Sequence, residues 1–325
     1  MRSKPGGVLL LTMLALVIGD GARAQSFPSR PVRIIVPFAP AAAVDIVART
    51  IATGLAALWA SPVIVDNRPG GSTMLGAEAV ARAEPDGHTL LFTTDDTFTI
   101  VPHLGKSPIA PLKDLAPINL SVQIPMLLVA SGKLPVDSVP AVIARAHEGS
   151  LNALTYSSSG SGSSIHLAME TLKAAAKIDI LHVPYKGIAP ALAAAASGEV
   201  QFTMSGYGTA RGLIDGGRLK ALAVASPERV AALPNVPTMT ELGMPEVDAT
   251  VWLGLAGPAG LPAELAAQIH AAVSRVLGQP EVRKQLTEAR GLVVAANGPR
   301  EFAELLRRKS EFNAGVVRRS GAKQD

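Results

Sequence analysis

The sequence contains no cysteine among its 325 residues. This absence excludes a disulfide framework, thiolate chemistry and a lipid anchor on an N-terminal cysteine. It is compatible with an oxidising compartment outside the cytoplasm.

A strong excess of one charge is also lacking, because lysine and arginine exceed the acidic residues by only four. Two of these four charges lie in the first 24 residues, so the remainder of the chain is weakly basic. No basic cluster with interleaved aromatic residues is present, which argues against a nucleic acid partner. The basic end, residues 307–325, is interpreted as a solvated final helix and its frayed terminus.

The sequence has no apolar run of the ~20 residues needed to cross a bilayer. The apolar run considered as a membrane span, Val8–Ile18, is far shorter. It follows Arg2 and Lys4 and precedes the small-residue triplet Ala22–Ala24. This order is typical of a secretory signal peptide over residues 1–24, and we expect cleavage after Ala24. About 300 residues then remain, which is enough for two lobes.

Short apolar runs rich in β-branched residues alternate with helical patterns through most of the chain. In the first helical pattern, Val44, Val47 and Ile51 recur at spacings of three and four, on one face of a helix. Alternating strands and helices predict a mainly parallel sheet covered on both sides. The predicted strands are Val32–Pro37, Val63–Asp66, Thr89–Thr93, Met126–Ala130, Ala153–Ser157, Ile180–Val183, Val200–Met204, Leu219–Ala225 and Val251–Ala256, and later helical patterns cover 163–176 and 189–197.

The last third changes to helices. Residues 262–291 contain two helices separated by Gly278 and Pro280, and Pro299 stands at the start of another helix. The proline-rich segments 107–118 and 226–247 are predicted to be ordered connections around a boundary between lobes.

Two apolar runs flanked by these proline-rich loops, Met126–Ala130 and Val251–Ala256, are predicted to cross between the lobes. The first lobe then combines residues 27–125 and 252–325, and the second comprises residues 126–251.

The catalytic and cofactor-binding motifs that this sequence resembles each lack a required residue. Residues 105–107, Gly-Lys-Ser, resemble the end of a phosphate-binding loop, but Ile100 stands where that loop requires glycine. The Gly-Ser-Gly run at 160–162 lacks the third glycine of a dinucleotide fingerprint, and no Gly-x-Ser-x-Gly elbow occurs. His166 and Glu170 lie one helical turn apart without a second histidine, so no metal site is predicted.

Four connections between a predicted strand and a predicted helix are rich in small residues. They are PFAPAAAVD (37–45), NRPGGSTMLG (67–76), SSSGSGSS (157–164) and VPYKGIAP (183–190). A helix N-terminus leaves backbone N–H groups free and carries partial positive charge, so it attracts anions without arginine or lysine. In an open α/β sheet such turns meet at the carboxyl ends of the strands. One such turn is equally typical of an ordinary serine-capped connection, but four together favour an anion site.

Six segments resemble, in order, the tripartite tricarboxylate transporter substrate-binding family, also called the TctC or Bug family. They are PVRIIVPFAPAAAVDIVARTIA, VIVDNRPGGSTMLGAEAVARAEPDGHTLLFTT, YSSSGSGSSIHLAMETL, HVPYKGIAPALAAAASGEVQFTM, RLKALAVASPERVAALPNVPTMTELGMP and WLGLAGPAGLP. The resemblance covers essentially the whole mature chain. Its most specific pieces are the Asn-Arg-Pro-Gly turn, the Pro-Asp-Gly before a strand and the His-Val-Pro-Tyr-Lys-Gly run.

The resemblance implies an α/β, periplasmic-binding-protein-like (type II) Venus flytrap, with two α/β lobes joined by crossing strands. It further implies a periplasmic protein that captures a small carboxylated ligand through backbone N–H groups, hydroxyls and waters. The implied partners are the ligand and membrane permease subunits of a tripartite tricarboxylate transporter. We expect a monomer without cofactor.

The chain departs from the family pattern inside the turns. Ala41, Ala42, Ser72 and Thr73 stand where glycines are usual, Ser205 where aspartate is common, and Asp96 where glycine is common. Alanine adopts positive φ at a cost, so we expect a tighter or differently shaped first turn.

The residues expected to bind the ligand lie in these turns and at the strand ends before them. They are Phe38, Ala41, Ala42, Asp45, Ser72, Thr73, Thr94, Asp95, Ser158, Gly160, Ser163, Ser164, Tyr185, Gly187 and Ser205. Asp95 and Asp96 either accept an ammonium or amide of the ligand or cap a loop in solvent. The alternative functions are a ligand-sensing co-receptor for a signalling partner and a hydrolase or lyase on the same scaffold.

Overall fold

The structure, a computed structural model, describes residues 27–147 and 154–323, and the predicted signal peptide lies outside them. The strands are β1 (Val32–Val36), β2 (Val63–Asn67), β3 (Thr89–Thr94), β4 (Leu115–Ile124), β5 (Met126–Ser131), β6 (Thr155–Ser158), β7 (Leu181–Pro184), β8 (Phe202–Gly206), β9 (Leu219–Ala225), β10 (Val251–Pro258) and β11 (Val293–Asn297). The predicted strands are thus all present, with ends that differ by up to two residues within the described part of the chain.

The predicted helices are all present, together with shorter helices that the sequence analysis did not name. They are α1 (Ala43–Trp59), α2 (Met74–Ala81), α3 (Asp96–Thr99), α4 (Val101–Leu104), α5 (Pro111–Asp114), α6 (Val139–His147), α7 (Ser164–Ala176), α8 (Ile188–Ser197), α9 (Tyr207–Asp215), α10 (Ala263–Leu277), α11 (Pro280–Thr287) and α12 (Pro299–Ser320). On the predicted apolar face of α1, Val47, Ile51 and Leu55 are fully buried, whereas Leu58 is only partly buried. A 3₁₀ turn, Gly71–Thr73, precedes α2. No helix in the described residues is long and apolar enough to span a membrane.

The strands form two sheets, and both are mixed. The first has the order β11-β4-β10-β3-β1-β2, and the second has the order β7-β6-β8-β5-β9. Only β1, β2 and β3 pair in parallel in the first sheet, and only β6, β7 and β8 in the second. The expectation of a mainly parallel sheet is therefore wrong. The strands that link the sheets, with β9 and β11, pair antiparallel to their neighbours.

The link between the sheets is made by adjacent segments. Strand β4 of the first sheet is separated only by Pro125 from β5 of the second. The second link is the segment that enters β10. Ala249 N–H donates to the Ala225 carbonyl of the second sheet at 2.9 Å, and Val251 pairs with Ile124 in the first sheet. Two extended segments thus run side by side from one sheet to the other.

Strand β4 was not predicted, because its sequence belongs partly to the proline-rich segment 107–118. The prolines are accommodated without breaking the strand. Pro111 is the first residue of α5, and Pro117 lies beside an irregularity in the β4–β10 register. A proline next to a bulge removes no regular ladder hydrogen bond.

The last helix packs on the first sheet. Phe302, Leu306 and Val316 are buried, whereas Phe312 is 45% exposed. Val316 and Val317 also lie in a small apolar cluster with Ile100, between α3 and α4, and with Leu167 of α7. Because α7 packs on the second sheet, α12 contacts elements of both sheets.

Candidate functional site

The six parallel strands end in turns that lead directly into helices, three turns from each sheet. The turns of the two sheets approach one another in the described structure. A Cβ on Gly162, in the turn before α7, would lie 2.7 Å from a methyl carbon of Leu104 in α4. This junction brings together elements from both sides of the predicted cleft.

The turn between β1 and α1 is fixed by Asp45. Its Oδ2 accepts a hydrogen bond of 2.9 Å from Ala41 N–H, and its Oδ1 accepts one of 2.8 Å from the Asn67 amide. Asn67 also donates to the Phe38 carbonyl, at 3.1 Å. Burial raises the pKa of Asp45, but hydrogen bonds from Arg49, Asn67 and Ala41 outweigh it and leave the pKa below its usual value. Asp45 and the Ala41 amide are therefore engaged with each other, and the amides available to a ligand are those of the first turn of α1.

Ala41 adopts a φ of +67°, the left-handed conformation that glycine accepts most easily. Ala41 therefore adopts the conformation that the sequence analysis expected to be costly for alanine. Ala42 is extended at φ −63° and ψ 157° and is the N-cap of α1, which lacks a capping side chain.

The turn between β2 and α2 contains four consecutive residues with positive φ, Gly70 to Thr73. Thr73 has a φ of +79°, which is unfavourable for a β-branched side chain. Its Oγ1 lies 2.9 Å from Thr97 Oγ1, which lies 2.7 Å from Thr93 Oγ1. This chain of hydroxyls ties the strained turn to the end of β3, and such strain concentrates at functional sites.

At the carboxyl end of β3, Thr94 is buried and its hydroxyl has no hydrogen-bond partner among the described residues. Asp95 is buried with both carboxylate oxygens engaged. Oδ1 accepts from Trp252 N–H at 2.8 Å, and Oδ2 lies 2.6 Å from Lys309 Nζ. Asp95 therefore does not cap a loop in solvent, and both of its carboxylate oxygens contact groups of the protein.

Asp96 starts α3 at the junction of the two sheets. The residue is partly exposed, but its Oδ1 is inaccessible to solvent and has no hydrogen-bond partner among the described residues. Burial and the neighbouring Asp95 raise the pKa of Asp96 to about 7, against opposing contributions from Lys309 and from a hydrogen bond with Ser164 of α7. A cavity of only 20 Å³ remains between Asp96, Ser164 and Lys309.

The turn between β6 and α7, residues 158–163, is held by hydrogen bonds of its own. Gly160 N–H donates to Ser158 Oγ at 3.2 Å, and Ser163 N–H donates to the Gly160 carbonyl at 3.2 Å. Ser163 Oγ accepts from His166 N–H and caps α7. Ser163 thus shapes the turn, while the first amides of α7, including that of Ser164, lack an intrahelical carbonyl.

The remaining predicted residues differ in their surroundings. The Tyr185 hydroxyl donates to Glu199 at 2.7 Å, and burial together with this contact raises the pKa of Tyr185 to about 12. Gly187 is the N-cap of α8 at a φ of +106°, and no atom lies within 4 Å of where a Cβ would stand. Ser205 is fully buried, and its hydroxyl donates to the Gly206 carbonyl at 3.3 Å. Gly187 therefore borders open space and Tyr185 is partly exposed, whereas Ser205 is enclosed by the protein.

Several contributors to this arrangement were missed from sequence. Asn67 and the hydroxyls of Thr93 and Thr97 hold two of the turns. Asn67 begins the Asn-Arg-Pro-Gly turn, and this position in a recognisable motif could have indicated its role, whereas nothing in the sequence marks the two buried threonines.

A 1220 Å³ cavity between α10 and α12, which includes His270 and Arg300, contains none of the predicted residues. No group of three potential metal ligands occurs in the part of the chain that the structure describes.

Comparison with known proteins gives a consistent result. Residues 47–320 match the profile described as the tripartite tricarboxylate transporter family receptor, TctC. The chain is 32% identical over 311 residues to BugT of Bordetella pertussis, with 92% of each chain covered.

Two solved structures are similar to this chain in fold as well. MatC from Rhodopseudomonas palustris with bound malate is 33% identical, with a TM-score of 0.76 over 90% of this chain and 100% of that chain. Another R. palustris protein, solved with adipate, is 29% identical, with a TM-score of 0.80 over 91% of this chain and 99% of that chain. The similarity therefore extends over both sheets.

Proposed function

The chain belongs to the tripartite tricarboxylate transporter receptor family, whose members are solute-binding receptors and not enzymes, and we propose that it captures a small dicarboxylate between its two lobes. The similar R. palustris proteins were solved with malate and with adipate, which bear two carboxylates at the ends of short chains. A ligand of this size has one anionic group for each lobe.

The observation that carries this proposal is the type of group present at the strand ends. The turns before α1, α2, α7 and α8 contain only two basic side chains, Arg68 and Lys186, and both are exposed. Arg68 is paired with Asp66 at 3.0 Å. Helix N-termini supply partial positive charge and free N–H groups at the same place, which is sufficient to bind carboxylates.

Further support comes from the unpartnered Thr94 hydroxyl and from the open space beside Gly187. A buried hydroxyl without a partner costs free energy unless something satisfies it, and a ligand oxygen does so. We propose that Thr94, Ser72, Thr73 and Ala42 face the ligand from the first lobe, and Ser158, Ser164, Tyr185 and Gly187 from the second.

We also propose the division into lobes and the place of action. The strand pairings favour a first lobe of residues 27–125 and 252–325 and a second of residues 126–251. The chain is proposed to be exported after cleavage behind Ala24, to act in the periplasm as a monomer, and to deliver its ligand to the permease subunits of a tripartite transporter.

Calorimetry on the mature chain tests the proposal. Malate, adipate and a tricarboxylate are titrated beside neutral diols and diamines of the same length. We expect only carboxylates to bind, with a modest salt dependence, because buried dipoles are screened less than surface charges. Binding of the diamines or diols alone would refute the proposal.

A further inference from the structure

Three aromatic rings stack behind the turn between β6 and α7. The His166 and His182 rings lie 4.0 Å apart between centroids and within 10° of parallel. Tyr156 also stacks on His182, with centroids 4.8 Å apart at an angle of 18°, and its centroid lies 6.5 Å from that of His166. The rings come from α7, β7 and β6, so they join the three elements that hold the 158–163 turn.

Both histidines bond to that turn. Gly162 N–H donates to His166 Nδ1 at 3.0 Å. The Ser158 hydroxyl lies 2.7 Å from His182 Nε2 and also accepts the Gly160 N–H. Two amides of the turn are therefore held by imidazole, one directly and one through a serine.

The bond from Gly162 fixes the protonation state of His166. An imidazole nitrogen that accepts an N–H carries no proton, so His166 is neutral in this arrangement. A protonated His166 has an N–H at both nitrogens, and its Nδ1–H then points at the N–H of Gly162. The contact becomes repulsive and the turn has to move.

The surroundings of His166 also favour the neutral ring. Burial lowers the pKa of His166, Glu170 on the same helix raises it, and Lys173 lowers it. Tyr156 and His182 face the ring from the two strands, and the Tyr156 hydroxyl donates to Glu170 at 2.8 Å, which occupies that carboxylate. Across the junction the turn meets the apolar Leu104 side chain at Gly162.

We propose that His166 and His182 are positioning residues that hold the 158–163 turn in the form that binds ligand, and that protonation of His166 weakens ligand binding in acid. This inference rests on the proposed function, because it takes the turn to be part of the carboxylate site. Neither imidazole touches the ligand; both act through the amides of Gly160 and Gly162.

Matched variants distinguish the loss of the hydrogen-bond acceptor at position 166 from the protonation of His166. In His166→Asn the amide oxygen reaches the place of Nδ1, so the acceptor for Gly162 remains but no longer titrates. His166→Ala removes the acceptor, and His182→Gln keeps a polar atom at the place of Nε2. His147→Gln is the control, because His147 is exposed on α6 and its hydrogen bond among the described residues is with the Lys177 carbonyl, at 3.2 Å.

Dissociation constants for malate and adipate are measured between about pH 5 and pH 7.5, where histidine titrates. The ratio of the wild-type constant to that of His166→Asn is expected to rise about tenfold towards acid, the effect of losing one buried hydrogen bond. The His147→Gln protein should follow the wild type, and His166→Ala should bind weakly at every pH. A ratio that stays constant would overturn the inference.

A second measurement does not depend on the ligand. The amide resonance of Gly162 is followed by NMR in the ligand-free protein over the same pH range. We expect it to titrate in the wild type and not in His166→Asn. If no carboxylate binds at all, the proposed function fails, and a Gly162 resonance that ignores pH in the wild type overturns the positioning role separately.

Discussion

Lys309 Nζ in the last helix lies 2.6 Å from Asp95 Oδ2 at the end of β3, and both side chains are largely buried. Lys309 also donates to the Thr250 carbonyl and stands 4.4 Å from the centre of the Trp252 ring. One ammonium group therefore ties α12 to β3 and to the returning segment between the sheets. Asp95, in turn, is bonded to the Trp252 backbone in both directions.

Removing the Lys309 ammonium group should destabilise the folded protein. In Lys309→Met the Asp95 charge stays buried without its partner, and we expect a loss of about 3–5 kcal/mol in the free energy of unfolding. The double variant Asp95→Asn with Lys309→Met removes both charges and keeps an acceptor for Trp252 N–H, so it should recover most of this loss. Urea unfolding measures both. A double variant no more stable than the single one would show that the ion pair is not the cause.

Asp96 should make the stability depend on pH. Its pKa of about 7 lies above the ordinary value for aspartate, so the folded protein binds a proton more tightly than the unfolded chain. The corresponding stability is complete below about pH 4 and is lost as pH rises towards 7. Between pH 5 and 7.5 we expect the wild type to lose on the order of 2–3 kcal/mol more than Asp96→Asn. Parallel pH profiles of the two proteins would contradict the burial of this carboxyl group.

The left-handed conformation of Ala41 predicts a gain on substitution by glycine. Ala41→Gly removes a strain of about 1–2 kcal/mol and adds some freedom to the unfolded chain, so the protein should be stabilised by roughly 0.5–1 kcal/mol. Ala43→Gly, two residues later in the first turn of α1, is the control and should destabilise by a similar amount. Thermal unfolding of both variants is the measurement, and equal losses in the two would exclude strain at Ala41.

The uncapped start of α1 offers a test of the anion site. Ala42 already has the backbone conformation of an N-cap, so Ala42→Asp should stabilise the helix by about 1 kcal/mol. The new carboxylate occupies the amides proposed for the ligand, and dicarboxylate binding should fall at least about tenfold.

Gln279→Asp is the matched control for this change, since Gln279 is an uncapped N-cap with similar backbone angles at the start of α11. It should gain stability and leave binding unaltered. Undiminished binding in Ala42→Asp would place the ligand elsewhere.

The sequence alone determined the local structure and the family. The spacing of Val44, Val47 and Ile51 predicted α1, and the glycine and serine content of residues 157–164 predicted a turn before a helix. These features follow from side-chain periodicity and backbone freedom over neighbouring residues, which can be read along the chain. The motifs at 67–76 and 182–187 pointed to the receptor family that the comparisons confirm.

Only the tertiary structure decided which groups remain available to a ligand. Asp95, predicted to bind the ligand, is paired with Lys309, which is far away in the chain. The Ser163 hydroxyl caps α7, and Asp45 accepts the hydrogen bond of the Ala41 amide. The direction of the crossing strands was likewise decided by pairing between distant segments. A buried polar group is satisfied by whichever partner the fold brings within about 3 Å, and sequence separation carries no information about that distance.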